Sequence, residues 1–453
     1  MKKGYLFLLL VFHLLILSRL QFTAWPEMVS FPYLINHGFV TYKDMVHAYP
    51  PLLVNILAIL YKIFGYKLIV LKLFGWSSIL VSDLLIFKII LKIVRKQNSA
   101  LFGVLIYVIL QPILEGNMVW PDLFIVPFLL LTFLLLIHKK YFWSGIAIGL
   151  AFLTKQTAML YIVTSILYIV FTERNYKKLV TFIVGGLVIG VPFLLNLISQ
   201  KSLVDFVNWT IIYPSKYWTK FPGYVQLSPT LREDLILLIL FLLLSILLTK
   251  SFKQIKQKKE LYLIFGFLIC GIVGVYPRFS FFHFQSALAF FVIFIFYLCK
   301  KFNYWLVLVP VLILVISFRS LHFGEARFWA SSDLKLGQVI QNETPAGKPI
   351  YLIGLDSSLY AFSDRLPNKP WLDNFGWYLE IRGVQQDVIS GFMSNPPSVV
   401  FWQTPQDGNW YDIGVYQPKM ITDYIVKNYV RTKEISEACH CVIEKGVWEW
   451  IKR

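Results

Sequence analysis

Charged residues are scarce in this chain of 453 residues. They make up 15% of the sequence, whereas a soluble domain carries about 25%. Hydrophobic residues reach 57% and aromatic residues 17%, so too little polar surface remains to cover a water-facing globule. Cysteine and histidine are also scarce, with 4 and 7 residues, which argues against a disulfide scaffold or a multi-metal array. The composition predicts a polytopic α-helical membrane protein.

The basic excess of this chain is unevenly distributed. The formal net charge is +18, yet residues 319–453 hold 14 Lys/Arg against 15 Asp/Glu. All of the excess therefore lies between the apolar runs of the first 318 residues. This distribution is typical of charges that set membrane topology and excludes a phosphate-binding patch for nucleic acid.

Apolar runs of membrane length predict eleven transmembrane helices. The N-terminal run resembles a signal peptide, but no small-residue cleavage site follows it, so we interpret it as a retained first span. The runs cover residues 4–22, 68–94, 100–114, 120–138, 141–154, 156–171, 178–198, 234–250, 260–276, 280–299 and 303–319.

The connections between these runs differ in charge. With a cytoplasmic N-terminus, the inner segments hold 18 Lys/Arg against 2 acidic residues, and the outer segments hold 10 against 7. Positive residues favour the cytoplasmic side. The sequence therefore predicts a multi-pass protein of the cell membrane with a transmembrane domain at 1–319 and an extracytoplasmic domain at 320–453.

Two runs allow a second interpretation. Residues 141–171 either form one helix interrupted around Lys155 or two short spans, and the basic flanks on both sides favour two spans. Residues 51–64 are short for a span. We expect 51–64, together with 26–37, to form interfacial helices on the outer membrane surface.

The first long outer connection, residues 23–67, contains two carboxylates, Glu27 and Asp44. Pro26 suits the first turn of a helix, and Glu27 beside it suits the positive helix end, which should keep its carboxylate ionised. One interpretation is simple interfacial anchoring. The other is that Glu27 or Asp44 is a general base near the membrane surface.

Cations lie at the outer ends of several apolar runs. Lys155 separates two short runs, and Arg278 and His283 follow Tyr276-Pro277. Such residues are candidates for binding a lipid-linked phosphate, although snorkelling to lipid headgroups is the alternative. Asp122 starts a span, where helix capping is the simpler role.

The second long outer connection, residues 199–233, is rich in aromatic residues, which form either an interfacial belt or a sugar-stacking loop. Beyond residue 320, strands at 348–355 and 397–402, helices at 356–363 and 422–429 and a closing strand or hairpin at 439–448 predict a small α/β domain. Its Cys439-His440-Cys441 sequence does not suit a shared zinc site if extended, because His440 points away from both thiols.

These motifs, in this order, resemble the GT-C glycosyltransferases of the protein O-mannosyltransferase and lipid A aminoarabinose transferase type, and more closely their prokaryotic family 39-like members. The resemblance rests on the acidic outer loop with its proline-rich entry, on Leu153-Thr154-Lys155-Gln156-Thr157, and on Tyr276-Pro277-Arg278 with His283. It covers residues 1–320 in layout and extends to the α/β tail.

The resemblance implies a polyprenyl-phosphate sugar donor, an extracytoplasmic acceptor and inverting transfer of the sugar. It implies that Glu27 is the catalytic carboxylate, with Asp44 as rival, because relatives usually carry an Asp-Glu pair where this chain has Pro26-Glu27. It further implies phosphate contacts from three cations and a substrate cavity lined by four more residues. These sets are Lys155, Arg278 and His283, and Tyr42, Lys43, Asp122 and Tyr276.

A membrane glycosyltransferase is thus the predicted function. No cofactor is predicted, and too few outer carboxylates cluster to predict a divalent metal. Membrane lipids, the lipid-linked donor and an unidentified glycan, lipid or protein acceptor are the expected partners, and nucleic acid is not. A transporter or flippase of lipid-linked sugars is the alternative. Transporters usually have internal repeats and broken mid-membrane helices, whereas this sequence has no internal repeat and its polar residues concentrate at the outer end. A non-catalytic membrane scaffold is the third hypothesis.

Overall fold

The computed structural model describes residues 2–227, 231, 235, 238, 242, 259–298, 322–403, 418–435 and 446–453. The predicted spans at 234–250 and 303–319 lie almost entirely outside these residues. The Cys439-His440-Cys441 sequence also lies outside them.

Helices dominate the part of the chain that the structure describes. They are α1 (Lys2–Arg19), α2 (Glu27–Asn36), α3 (Leu52–Phe64), α4 (Leu68–Val94), α5 (Gln97–Ile113), α6 (Pro121–Ile137), α7 (Tyr141–Thr154), α8 (Ala158–Tyr168), α9 (Tyr176–Ser199), α10 (Leu203–Val207), α11 (Tyr213–Lys216), α12 (Lys259–Val273), α13 (Gln285–Leu298), α14 (Ser331–Glu343), α15 (Ser358–Phe362), α16 (Gly376–Leu379), α17 (Val384–Ser394) and α18 (Lys419–Asn428).

Short segments of other helical type join some of these helices. Residues Ile169–Glu173 and Asn208–Ile212 are π-helical, and Trp218–Lys220 and Phe281–Phe284 are 3₁₀-helical. The last of these runs directly into α13. The described residues fall into two compact units, which we call the helical unit (1–22, 72–194 and 226–324) and the mixed unit (23–71, 195–225 and 325–453).

The helical unit is built from apolar helices. Two helical segments of the described chain, Tyr176–Ser199 and Phe281–Leu298, are long and apolar enough to cross a membrane. Several shorter apolar helices accompany them, and the predicted total of eleven spans remains a prediction. The predicted interruption near Lys155 is observed, because α7 ends at Thr154 and α8 begins at Ala158.

Helix α9 has one exposed apolar face and one face packed against α7. Its apolar side chains are largely exposed, including Leu187 and Leu195, which is the arrangement of a helix that faces lipid. Its other face approaches α7 closely. A Cβ on Gly185 would overlap the carbonyl oxygen of Phe142, so glycine is required where the two backbones meet.

Buried polar groups in the helical unit are paired across helices. His13 Nδ1 lies 2.8 Å from Asp83 Oδ2, and His13 Nε2 lies 3.3 Å from Gln111 Oε1. His13 and Asp83 are both fully buried. An isolated charge there would be costly, so this pairing accounts for a carboxyl group in the middle of α4.

The mixed unit contains the predicted α/β fold. Its sheet has strands β1 (Ile350–Ile353), β2 (Val399–Gln403), β3 (Tyr429–Glu434) and β4 (Val447–Lys452) in the order β1-β2-β4-β3. The β1-β2 pair is parallel, and the other two pairs are antiparallel. Strand β3 was not predicted, because its burial pattern leaves only Tyr429 fully inside.

The first outer connection folds onto the terminal segment within the mixed unit. Ser30 Oγ lies 3.0 Å from Ser357 Oγ, and the Tyr33 hydroxyl donates to Asp364 at 3.1 Å. The main-chain N–H of Val46 donates to the Trp371 carbonyl at 3.0 Å. The two units are defined by contacts in space and each combines several chain segments. The predicted domain boundary between residues 319 and 320 therefore stays a prediction.

Candidate functional site

A buried ionic cluster lies in the helical unit. Asp122, in the first turn of α6, accepts from Lys155 Nζ at 2.5 Å through Oδ1. Its Oδ2 lies 3.0 Å from His283 Nδ1. Three of the sequence-predicted residues therefore meet, although they are far apart in the sequence.

Each member of this cluster is positioned by a local feature of its helix. Pro121 occupies the first turn of α6 and presents Asp122. Lys155 is in an extended conformation between α7 and α8, which turns its side chain out of the helix register. His283 lies in the 3₁₀ turn before α13, and Gln285 fixes that turn by donating to the carbonyls of Gln111 and Leu114.

The cluster is enclosed, and one carboxylate is shared by one ammonium and one imidazole. The side chains of Lys155 and Asp122 are each 7% exposed, and that of His283 is 14% exposed. The simpler role predicted for Asp122 was helix capping, but no side-chain capping bond is found at the start of α6. Its carboxylate instead contacts Lys155 and His283. A cation buried among apolar helices is a functional candidate.

Arg278 and Tyr276 lie beside this cluster in the chain. Arg278 is partly exposed and close enough to His283 to act on it electrostatically. Its backbone pairs with Gln226, whose N–H donates to the Pro277 carbonyl at 3.0 Å. Tyr276 is 58% exposed, so its ring lies on the surface of the helical unit.

Glu27 begins α2 in the mixed unit and lies in an acidic setting. Part of the residue is accessible, but Oε2 is enclosed and has no hydrogen-bond partner among the described residues. Asp373 and Asp356 are its acidic neighbours. Burial, reinforced by these two carboxylates, raises the pKa of Glu27 to about 8.

The expectation that the helix end keeps Glu27 ionised is therefore wrong at neutral pH. A helix N-terminus contributes about 0.3–1 kcal/mol, whereas one unit of pKa corresponds to about 1.4 kcal/mol. Desolvation and the neighbouring carboxylates outweigh the dipole. Asp373 is itself buried, and burial raises its pKa to about 6 against the hydrogen bonds from Ser357 and the Asn374 N–H.

Asp44 has a different environment in the same unit. Its Oδ2 accepts from Lys369 Nζ at 2.8 Å and from the Val40 N–H at 3.0 Å. Lys369 also donates to the Gly38 carbonyl at 2.8 Å. The carboxylate is thus held in an ion pair that ties the first outer connection to the terminal segment.

A cavity of about 500 Å³ opens in the mixed unit. It is lined by Tyr42, Lys43, Asp205 and Trp209, and by several residues between 369 and 394. Two of the four residues expected in a substrate cavity therefore do line a cavity. Asp122 and Tyr276 belong to the helical unit instead.

Asp373 is the main residue of these sites that the sequence analysis missed. It follows Trp371-Leu372 in an aromatic-rich stretch of the terminal segment. A carboxylate among aromatic residues was the sequence feature that could have identified it. Among the described residues, no group of three or more His, Cys, Asp or Glu side chains is arranged to hold a metal ion.

Comparison with sequence families gives one match. Residues 48–198 match the family described as "Dolichyl-phosphate-mannose-protein mannosyltransferase". The matched segment includes the proline entry to α3, Asp122 and Lys155. No curated protein matches the chain.

Two solved structures share the architecture. ArnT from Cupriavidus metallidurans, bound to undecaprenyl phosphate, is 12% identical with a TM-score of 0.50, covering 99% of this chain and 98% of that one. The archaeal oligosaccharyltransferase AglB from Archaeoglobus fulgidus, in complex with an inhibitory peptide and a dolichol-phosphate, is 12% identical with a TM-score of 0.54, covering 100% of this chain and 74% of that one. At 12% identity these likenesses show that the chain shares the fold of the two structures.

Proposed function

Starting from the GT-C fold, we propose that this protein transfers a sugar from a polyprenyl-phosphate donor to an extracytoplasmic acceptor with inversion at the anomeric carbon. The observation that carries the proposal is the buried Asp122–Lys155–His283 cluster at the ends of apolar helices. The ArnT and AglB structures contain undecaprenyl phosphate and a dolichol-phosphate, which supports a lipid phosphate as the bound group.

The cluster suits a leaving phosphate. Lys155 and Arg278 bring two cationic side chains to this part of the helical unit, and Lys155 is paired with the carboxylate of Asp122. Asp122 fixes the direction of the Lys155 ammonium, and preorganised cations stabilise charge that develops on a departing group. A lipid phosphate is already a good leaving group, so no nucleotide site is required.

Glu27 is the proposed base. Its pKa of about 8 is close to a working pH near neutrality, where a general base is most efficient. It accepts the proton of the acceptor hydroxyl while that oxygen forms a bond to the anomeric carbon and the bond to the phosphate oxygen breaks. Attack from the face opposite the phosphate inverts the configuration. Asp44 is the second choice, because Lys369 already engages its carboxylate.

The decisive experiment uses the full chain in lipid nanodiscs with a panel of polyprenyl-phosphate sugars and cell-envelope glycans. The expected result is release of polyprenyl phosphate and transfer of the sugar to an acceptor. The anomeric configuration of the transferred sugar should be inverted relative to the donor. Movement of intact donor between leaflets without cleavage would identify a flippase. Absence of both would favour the scaffold.

We also propose that the N-terminus is cytoplasmic and that residues 320–453 are extracytoplasmic, with α2 and α3 lying at the outer interface. Helix α3 supports an interfacial position, since Leu57 is buried while Ile59 and Ile63 are exposed. A reporter that is active only in the cytoplasm should be silent when fused after Arg453. A spin label at Ile59 should report interfacial depth, and a label at the bilayer centre would instead show a span.

A further inference from the structure

The cavity of the mixed unit is formed by three segments distant in sequence. Tyr42 and Lys43 come from the first outer connection, Asp205 and Trp209 from the second, and α17 from the terminal segment. Its volume of about 500 Å³ is that of a small-molecule site. None of the residues proposed for donor phosphate binding lines it.

The charges around this cavity do not suit an anion. Lys369 lines it, but its ammonium is engaged by Asp44 Oδ2 and the Gly38 carbonyl. Lys43 faces Asp205 closely enough to act on its carboxylate, and Asp387 adds a second carboxylate. Apart from Lys369, the cavity is therefore lined by two carboxylates and one cation, which disfavours a phosphate and provides acceptors and a donor for hydroxyl groups.

Aromatic side chains form the apolar part of the wall. Trp371 is 2% exposed and Trp209 is 8% exposed, so both rings are held by packing. Trp209 contacts Tyr213 at 4.8 Å and Tyr378 at 5.9 Å between ring centroids, both edge to face. Rigid aromatic surface beside carboxylates matches a ligand that has apolar C–H faces and a hydroxyl-rich edge.

We propose that this cavity binds the neutral saccharide to which the sugar is transferred. The proposal rests on the proposed function for its place in the reaction, but not for binding. Trp209 and the partly exposed Tyr213 contact the C–H faces of the sugar. Asp205 and Asp387 accept from its hydroxyls, and Lys43 donates to a ring or hydroxyl oxygen. The donor phosphate and the acceptor sugar are thereby recognised by separate groups of residues.

The test measures binding of methyl α-mannoside, N-acetylglucosamine and lactose to the full chain in nanodiscs by saturation-transfer NMR, with inorganic phosphate as the anionic comparison. Ser390 and Gln386 are exposed on α17, but only Ser390 lines the cavity. Ser390→Trp should block the cavity, and Gln386→Trp is the matched control on the same helix.

At least one sugar should bind saturably. Ser390→Trp should weaken this binding by about ten-fold or more, equivalent to about 1.4 kcal/mol, while Gln386→Trp leaves it unchanged. Trp209→Ala, if it folds, should act in the same direction. Equal affinity in Ser390→Trp and the parent overturns the proposal, as does binding of phosphate with no binding of any sugar.

Donor cleavage separates this proposal from the proposed function. Without an acceptor, water takes the sugar and polyprenyl phosphate is released, and this hydrolysis should be the same in Ser390→Trp and Gln386→Trp because none of the residues proposed for the donor phosphate lines the cavity. If no donor is ever cleaved but a sugar binds in the cavity, the proposed function fails and the saccharide site stands. If donor is cleaved and no sugar binds, the reverse holds.

Discussion

The helical unit and the mixed unit bury acidic groups in opposite ways. In the helical unit, Asp83 is paired with His13, and Asp122 lies against Lys155 and His283. In the mixed unit, the buried Asp373 lies near Glu27, whose Oε2 is enclosed and has no hydrogen-bond partner among the described residues. A basic partner favours the ionised form of a carboxyl group, whereas a neighbouring carboxylate raises its proton affinity.

This difference suits the two units to different steps of the proposed reaction. A paired cation in an apolar setting can stabilise an anionic leaving group, because its direction is fixed before the reaction. A carboxyl group whose pKa lies near neutral pH can exchange a proton with a substrate.

Glu27→Gln should lower sugar transfer by about 10²–10⁴-fold, the usual loss when a general base is removed. Donor affinity should stay unchanged, since the residues proposed for the donor phosphate lie in the helical unit. Transfer rate and donor binding are measured on the same preparation, with Asp44→Asn as comparison. Near-normal transfer in Glu27→Gln and none in Asp44→Asn would assign the base to Asp44, and near-normal transfer in both would refute the proposed role of this loop.

Arg278→Ala should weaken donor binding by about ten- to hundred-fold, because a hydrogen bond to a charged group contributes about 1.5–3 kcal/mol. Lys155→Ala should do the same and should also destabilise the fold by leaving Asp122 short of a cation. Lys177→Ala, an exposed cation at the start of α9, is the control. Unchanged affinity in both Arg278→Ala and Lys155→Ala would leave only headgroup snorkelling for these residues.

Gly185→Ala should destabilise the helical unit by about 1–3 kcal/mol, because a methyl group overlapping the Phe142 carbonyl overpacks the contact between α7 and α9. Gly190 lies on the same helix, and a Cβ there meets no atom within 4 Å. Gly190→Ala should therefore be neutral or stabilise by up to about 1 kcal/mol. Thermal unfolding of both variants in detergent measures the difference, and equal midpoints would contradict the close approach.

The pH dependence of transfer should reflect Glu27. The active form of a base is deprotonated, so the rate should rise about ten-fold per pH unit below the pKa and level off above about 8. Glu27→Asp should keep such a rise, whereas Glu27→Gln should abolish it. A rate that is already constant from pH 6 to 8 in the parent protein would exclude Glu27 as the titrating base.

Much of the helical layout was predictable from the sequence. The predicted interfacial helices at 26–37 and 51–64 correspond to α2 and α3, and the Thr154–Thr157 interruption marks the gap between α7 and α8. These features depend on neighbouring residues, such as proline at a helix start and glycine after its end. The predicted strands at 348–355 and 397–402 likewise correspond to β1 and β2.

The chemistry of the individual residues depended on the tertiary structure. The sequence placed a carboxylate, Glu27, at a helix start, and local electrostatics predicted an ionised group. The terminal segment, more than three hundred residues later, encloses it and brings Asp373 near, which reverses that prediction. Composition and periodicity fix which segments are apolar and helical, because those properties are local. Desolvation and charge pairing depend on which distant segments meet, so only the folded chain decided them.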